Sequence, residues 1–107
     1  MIHFDWLNTK EVDEFACSLV DDLVRRLPPP AANSEKEWTP HRLRDTHDVI
    51  FARVEKFART HRLNVFKKAR LGNTFKWTLS QAGYEREFVD SLTYDIVTLI
   101  SSKKRTP

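Results

Sequence analysis

The feature that most constrains this chain is an apolar stripe that ends at three consecutive prolines. Apolar residues recur there at steps of three and four, the spacing of one face of an α-helix. The stripe comprises Val12, Phe15, Ala16, Leu19, Val20, Leu23, Val24 and Leu27. A helix cannot continue through Pro28, Pro29 and Pro30, which follow directly. The pattern predicts an amphipathic first helix over residues 9–27.

The start of this helix carries its own signals. Asn8 is a favourable N-cap residue, and Glu11 three positions later completes the pattern of a capping box. Leu7 and Val12 stand at the positions of a hydrophobic staple. We therefore expect the helix to begin directly after Asn8.

A second apolar stripe, which begins at Leu43 and continues through Ile50 and Phe57, predicts a helix over 40–62. Thr39 followed by Pro40 is its strongest start signal, because proline at the first helical position sacrifices no intrahelical hydrogen bond. Ser34 with Glu37 forms an alternative, earlier capping box.

The boundary between the second and third helices is left open by the sequence. Asn64 could cap a separate helix over 64–82, or the second helix could run on to Leu71. Gly83 is a typical C-terminal stop for the third helix. A further apolar stripe predicts a last helix over 85–101.

These segments predict an all-α fold, a small antiparallel bundle of four helices. The chain has two glycines, neither following Asn or Asp, so the usual hairpin signals are absent. Its 107 residues suffice for one core. We expect a single domain over 1–107, with a proline-rich linker at 28–37 and a basic tail at 101–107.

The compartment is expected to be the cytoplasm. Cys17 is the only cysteine, so no internal disulfide can form. It lies beside the apolar stripe, which predicts a partly buried structural thiol. The N-terminus lacks the pattern of a secretory signal, and no apolar run is long enough to span a bilayer. Membrane association is not expected.

Charge is distributed unevenly along the chain. Residues 1–39 have a net charge of −4, whereas residues 40–82 have a net charge of +7. The basic segment interleaves cations with aromatic residues, a pattern found in nucleic-acid-binding surfaces. The candidate residues are Arg62, Lys67, Lys68, Arg70 and Lys76. The alternative is that the acidic first helix packs near the basic middle of the chain.

A second apolar face on the third helix is the best functional lead. If that helix is continuous from Asn64, then Phe66, Asn73 and Trp77 share the side opposite Phe75. Tryptophan flanked by basic residues is a frequent interface anchor. We expect a non-enzymatic protein-interaction or regulatory domain that binds a protein partner or self-associates through Phe66 and Trp77. The other interpretation is that Trp77 covers the edge of the bundle, or meets Trp6 or Trp38 in a satellite cluster.

A metal-dependent enzyme is the third hypothesis. His41, Asp45 and Asp48 stand at i, i+4 and i+7 and would share one helix face. Polar residues at this spacing more often mark only a solvated side. No catalytic residue is identified, and no cofactor or metal is predicted.

Overall fold

A computed structural model describes residues 8–30 and 38–101, which form four α-helices with no β-strand among them. The helices are α1 (Lys10–Arg26), α2 (Pro40–Thr60), α3 (Val65–Gln81) and α4 (Arg86–Ser101). Each boundary lies within about two residues of its prediction, and the all-α four-helix bundle is confirmed. The staple residue Leu7, most of the linker and the tail beyond Ser101 lie outside the described residues.

The capping box predicted for Asn8 and Glu11 at the start of α1 is wrong. Thr9 occupies the N-cap position and makes no side-chain capping bond. Its hydroxyl donates instead to Asp13 Oδ2 at 3.1 Å. Asn8 Oδ1 accepts from the backbone N–H of Lys10 at 3.0 Å, a turn-type bond to a residue two positions on. Asn8 therefore orders the approach to the helix without capping it.

The starts of α2 and α3 follow their predicted caps. The Thr39 hydroxyl accepts from the backbone N–H of Arg42 at 3.0 Å, and proline occupies the first turn. Asn64 Oδ1 accepts from the backbone N–H of Lys67 at 2.7 Å. His61 is extended, with ψ of 139°, so the chain leaves the helix between α2 and α3. The basic segment is therefore two helices.

Two hydrogen bonds hold the chain just after α1, one from the turn after α3 and one from the residues before α2. Gly83 has φ of +103°, a conformation that L side chains rarely adopt, and it ends α3. Tyr84 is buried directly beyond it, and its hydroxyl donates to the carbonyl of Leu27. The Trp38 indole N–H donates to the carbonyl of Pro28 at 3.0 Å. Both carbonyls lie at the proline stop, where a helix leaves its last acceptors unpaired.

Contacts near the helix ends establish the topology. Asp13 at the start of α1 contacts Arg70 at the start of α3, and Leu27 beyond α1 contacts Tyr84 beyond α3. These two helices therefore run parallel and share the most extensive packing. Helices consecutive in the chain run in opposite directions, as predicted. α1 and α4 each pack on both α2 and α3, so α2 and α3 occupy opposite corners.

The core lies between one apolar stripe of each helix. Its buried hydrophobic residues are Val12, Ala16, Leu19, Val20, Leu23, Leu27, Ile50, Val54, Phe57, Leu71, Phe75, Leu79, Tyr84, Val89, Leu92, Ile96 and Ile100. The remaining members of the α1 stripe, Phe15 and Val24, are partly buried against it. None of the described helices is both long and apolar enough to cross a lipid bilayer.

A carboxylate at the α1–α2 contact is the most densely paired charge in the described part of the chain. The side chain of Asp22 is only 8% exposed. It accepts from Arg26 Nε at 2.9 Å, Arg25 Nη2 at 3.1 Å and Arg53 Nη1 at 3.3 Å. The Arg53 guanidinium also lies 5.5 Å from the ring centroid of Phe15. Arg53 thus joins α2 to α1 through both a charge and an aromatic ring.

Two opposing effects act on the pKa of Asp22. Burial alone would raise it, but the hydrogen bonds and charges of Arg26 and Arg53 outweigh burial and lower the pKa below its usual value of 3.8. The ionised carboxylate therefore stabilises the fold above pH 3.8. This contribution to the free energy of unfolding is lost as the pH falls through the lowered pKa that Asp22 has in the folded protein.

We expect Asp22→Asn to lower the free energy of unfolding at pH 7 by about 1.5–3 kcal/mol, the range for hydrogen bonds to charged groups. Urea denaturation measures the loss. The difference from the wild type should shrink below pH 3.8. Exposed Asp21 is the matched control, and Asp21→Asn should change stability by less than about 0.5 kcal/mol. Equal effects of the two substitutions would contradict the assigned role of Asp22.

Candidate functional site

Helix α3 carries two large aromatic side chains on the side that faces away from the core. Trp77 is 66% exposed and Phe66 is 43% exposed. They are eleven residues apart, so they point in nearly the same direction and lie about 16 Å apart along the axis. Asn73 lies between them and is also exposed. These three residues form the aromatic face of α3.

The orientation of this face follows from the packing of α3. Leu71, Phe75 and Leu79 are fully buried, so the opposite side of the helix must face outward. The alternative contact between Trp77 and another tryptophan is not seen among the described residues. The Trp38 ring packs instead on Phe88, with centroids 5.1 Å apart. Trp6 lies outside the described residues.

Two of the predicted nucleic-acid-binding cations are held in ion pairs on different flanks of α3. Arg70 makes two hydrogen bonds to Asp13, at 2.9 and 3.0 Å. These bonds, with one from Thr74, outweigh burial and lower the pKa of the Asp13 carboxyl. Lys76 Nζ lies 3.5 Å from Asp90 Oδ1 on α4. Arg70 thus leans toward α1 and Lys76 toward α4.

The other three predicted cations lie near the start of α3. Arg62 and Lys67 line a polar depression of about 280 Å³ together with Glu11 and His61. Within it, His61 Nε2 lies 3.7 Å from Glu11 Oε1. Lys68 is half-buried on a different side of the helix. The structure does not bring the five cations onto one face, and nucleic-acid binding stays a prediction.

The candidate metal ligands on α2 do not converge. His41 Nε2 lies 3.2 Å from Asp45 Oδ2, and both side chains are largely exposed. Asp48 is exposed on the same side without joining this pair. Within residues 8–30 and 38–101, no three His, Cys, Asp or Glu side chains form a group that could hold a metal ion.

A shallow groove between α3 and α4 borders the aromatic face. A Cβ atom on Gly72 would lie only 2.7 Å from Val97 Cγ2, so the glycine allows the two helices to approach closely. The groove has a volume of about 570 Å³, and its lining includes Phe66 and Asn73. Thr93 also lines it, and its buried hydroxyl has no hydrogen-bond partner among the described residues.

Three features differ from the sequence analysis or were missed by it. Cys17 is exposed, so the prediction of a partly buried thiol is wrong: its position falls just beyond the edge of the α1 stripe. Tyr94 on α4 is 71% exposed. Its position off the line of the apolar residues Val89, Leu92 and Ile96 could have revealed this exposure. The third feature is a cavity beside Leu43, whose place in the α2 stripe had indicated burial.

Comparisons with protein-family models, with curated proteins and with solved structures found no match to this chain. Function is therefore inferred from the side-chain chemistry of the described residues.

We expect Gly72→Ala to destabilise the protein by about 1 kcal/mol. Alanine favours a helix by about 1 kcal/mol over glycine, but overpacking a tight contact costs about 1–3 kcal/mol. Val97→Ala should relieve the contact. In a double-mutant cycle measured by urea denaturation, Gly72→Ala should therefore destabilise the Val97→Ala protein less than it destabilises the wild type. Simple additivity would contradict the close approach of α3 and α4.

Proposed function

We propose that this protein is a non-enzymatic interaction domain that binds a partner protein through the aromatic face of α3. The observation that carries the proposal is the exposure of Trp77 on a well-packed helix. Tryptophan is among the residues most enriched at the energetic centres of interfaces. The expected compartment is the cytoplasm, because Cys17 has no second cysteine in this sequence to pair with.

The aromatic face is presented by a rigid support. Leu71, Phe75 and Leu79 anchor the other side of α3 in the core, and Arg70 and Lys76 brace its flanks through ion pairs. A partner that binds here does not have to order the helix first. Less of the binding free energy is then spent on conformational entropy.

The chemistry of α3 indicates the kind of partner. The helix Val65–Gln81 carries four basic residues and no acidic one. Arg70 and Lys76 are paired with Asp13 and Asp90, which leaves Lys67 and Lys68 as the positive excess of this helix. A second copy placed α3 against α3 would add to that excess, whereas a partner with acidic residues would offset it. An amphipathic helix of another protein fits better, with apolar anchors about 16 Å apart and acidic residues along its edges.

The variants that test this proposal leave the fold intact. Because Trp77 is largely exposed, Trp77→Ala should change stability by less than about 0.5 kcal/mol. Phe66 is only 43% exposed, so Phe66→Ala should cost more, about 1 kcal/mol. Tyr94→Ala is the matched control, since Tyr94 is equally exposed but lies on α4. Proteins that the immobilised wild type retains from a cell lysate are purified and then titrated with each variant.

We expect Trp77→Ala to weaken partner binding by at least about 30-fold, the effect of losing roughly 2 kcal/mol at an interface centre. Isothermal titration calorimetry provides the measurement. Phe66→Ala should weaken binding less, because its side chain is more covered, and Tyr94→Ala by less than about threefold. Equal losses for Tyr94→Ala and Trp77→Ala would contradict the proposal. If sedimentation shows a homodimer that Trp77→Ala dissociates, then the partner is a second copy of this chain and not another protein.

A further inference from the structure

A well-formed apolar cavity lies on the other side of the bundle, between α1, α2 and α4. Its volume is about 420 Å³, within the range of roughly 300–1,000 Å³ that is typical of small-molecule sites. The apolar side chains that line it are Leu23, Leu27, Leu43, Ile50, Phe88 and Leu92. Three helices thus contribute to one concave apolar surface.

The cavity lies beside the first half of α2. Leu43 and Ile50 are seven residues apart and point in nearly the same direction. Ile50 is buried in the core, whereas Leu43 is 40% exposed. The apolar stripe of α2 is therefore less covered at Leu43 than at Ile50. Leu43 forms a wall of the cavity.

The mouth of the cavity is polar and favours a negative charge. Arg44 lines it beside Pro40 in the first turn of α2, where the helix dipole is positive. His47 and Asp95 face each other there, with Nε2 and Oδ2 3.9 Å apart. Arg44 and the positive helix terminus together outweigh the one carboxylate that lines the cavity, that of Asp95. The other polar lining side chains, Thr46 and Ser91, are uncharged.

We propose that this cavity binds an amphipathic carboxylate, with the alkyl chain among the leucines and the carboxylate beside Arg44 at the start of α2. The apolar wall supplies affinity for the chain, and the cation supplies preference for the head group. The neighbouring linker residues 31–37 offer two alanines as their only apolar side chains, a poor match to this wall. The site is distinct from the aromatic face of α3, because α2 and α3 occupy opposite corners of the bundle.

The test titrates the full chain with hexanoate, octanoate, 1-octanol and octylamine by calorimetry. Each added methylene should tighten carboxylate binding about fourfold, because burying one contributes about 0.8 kcal/mol. Octanoate should bind about threefold to fivefold more tightly than 1-octanol. Methyl chemical-shift changes should concentrate at Leu23, Leu43 and Leu92. Equal binding of octanoate and octylamine, or no binding of either, would overturn the proposal.

Two kinds of variant locate the ligand. Leu43→Trp and Ser91→Trp should each abolish octanoate binding by filling the cavity, and two positions are used in case one variant fails to fold. Arg44→Glu should weaken octanoate binding about tenfold and leave 1-octanol unchanged. Arg42→Glu is the matched control, since Arg42 carries the same charge on the same helix but does not line the cavity. Undiminished octanoate binding by folded Leu43→Trp, or equal effects of the two arginine substitutions, would also overturn it.

Discussion

The packing of α1 against α3 is the contact on which the other features of this bundle depend. The side chains at steps of three and four along α1 are buried, so one continuous apolar stripe of this helix is removed from water. Polar contacts then set the register at both ends: Asp13 with Arg70 at the start, and Leu27 with Tyr84 beyond the end. Once this register is set, the rotation of α3 is determined, and Phe66 and Trp77 must face outward.

Part of the uneven charge of the chain is used within the fold. Acidic residues of α1 pair with basic residues of the other helices, as in the pairs of Asp13 with Arg70 and Asp22 with Arg53. This arrangement is the internal complementarity considered in the sequence analysis. It also means that a count of cations along the sequence overstates the charge available to a nucleic acid, because a paired guanidinium is already neutralised.

The two proposed sites use opposite sides of one scaffold. The aromatic face lies on the outer side of α3, whereas the cavity lies beneath the first half of α2. α2 and α3 are consecutive in the chain, yet neither packs on the other. A ligand in the cavity therefore leaves the aromatic face uncovered. The two sites can be tested independently, since the variants of one do not touch the other.

Local signals located the helices of this protein but left the break between α2 and α3 open. Thr39, Asn64 and Gly83 act through hydrogen bonds and dihedral preferences within a few residues of themselves, so they could be read without knowing the fold. The outward position of Phe66 and Trp77 also followed from helical periodicity. The burial of Leu43 could not be judged in this way, because the spacing between α2 and its neighbours depends on residues distant in the chain. The pairing of Arg70 with Asp13 likewise joins residues 57 positions apart. Periodicity determines the direction in which a side chain points, but only tertiary packing decides what it meets there.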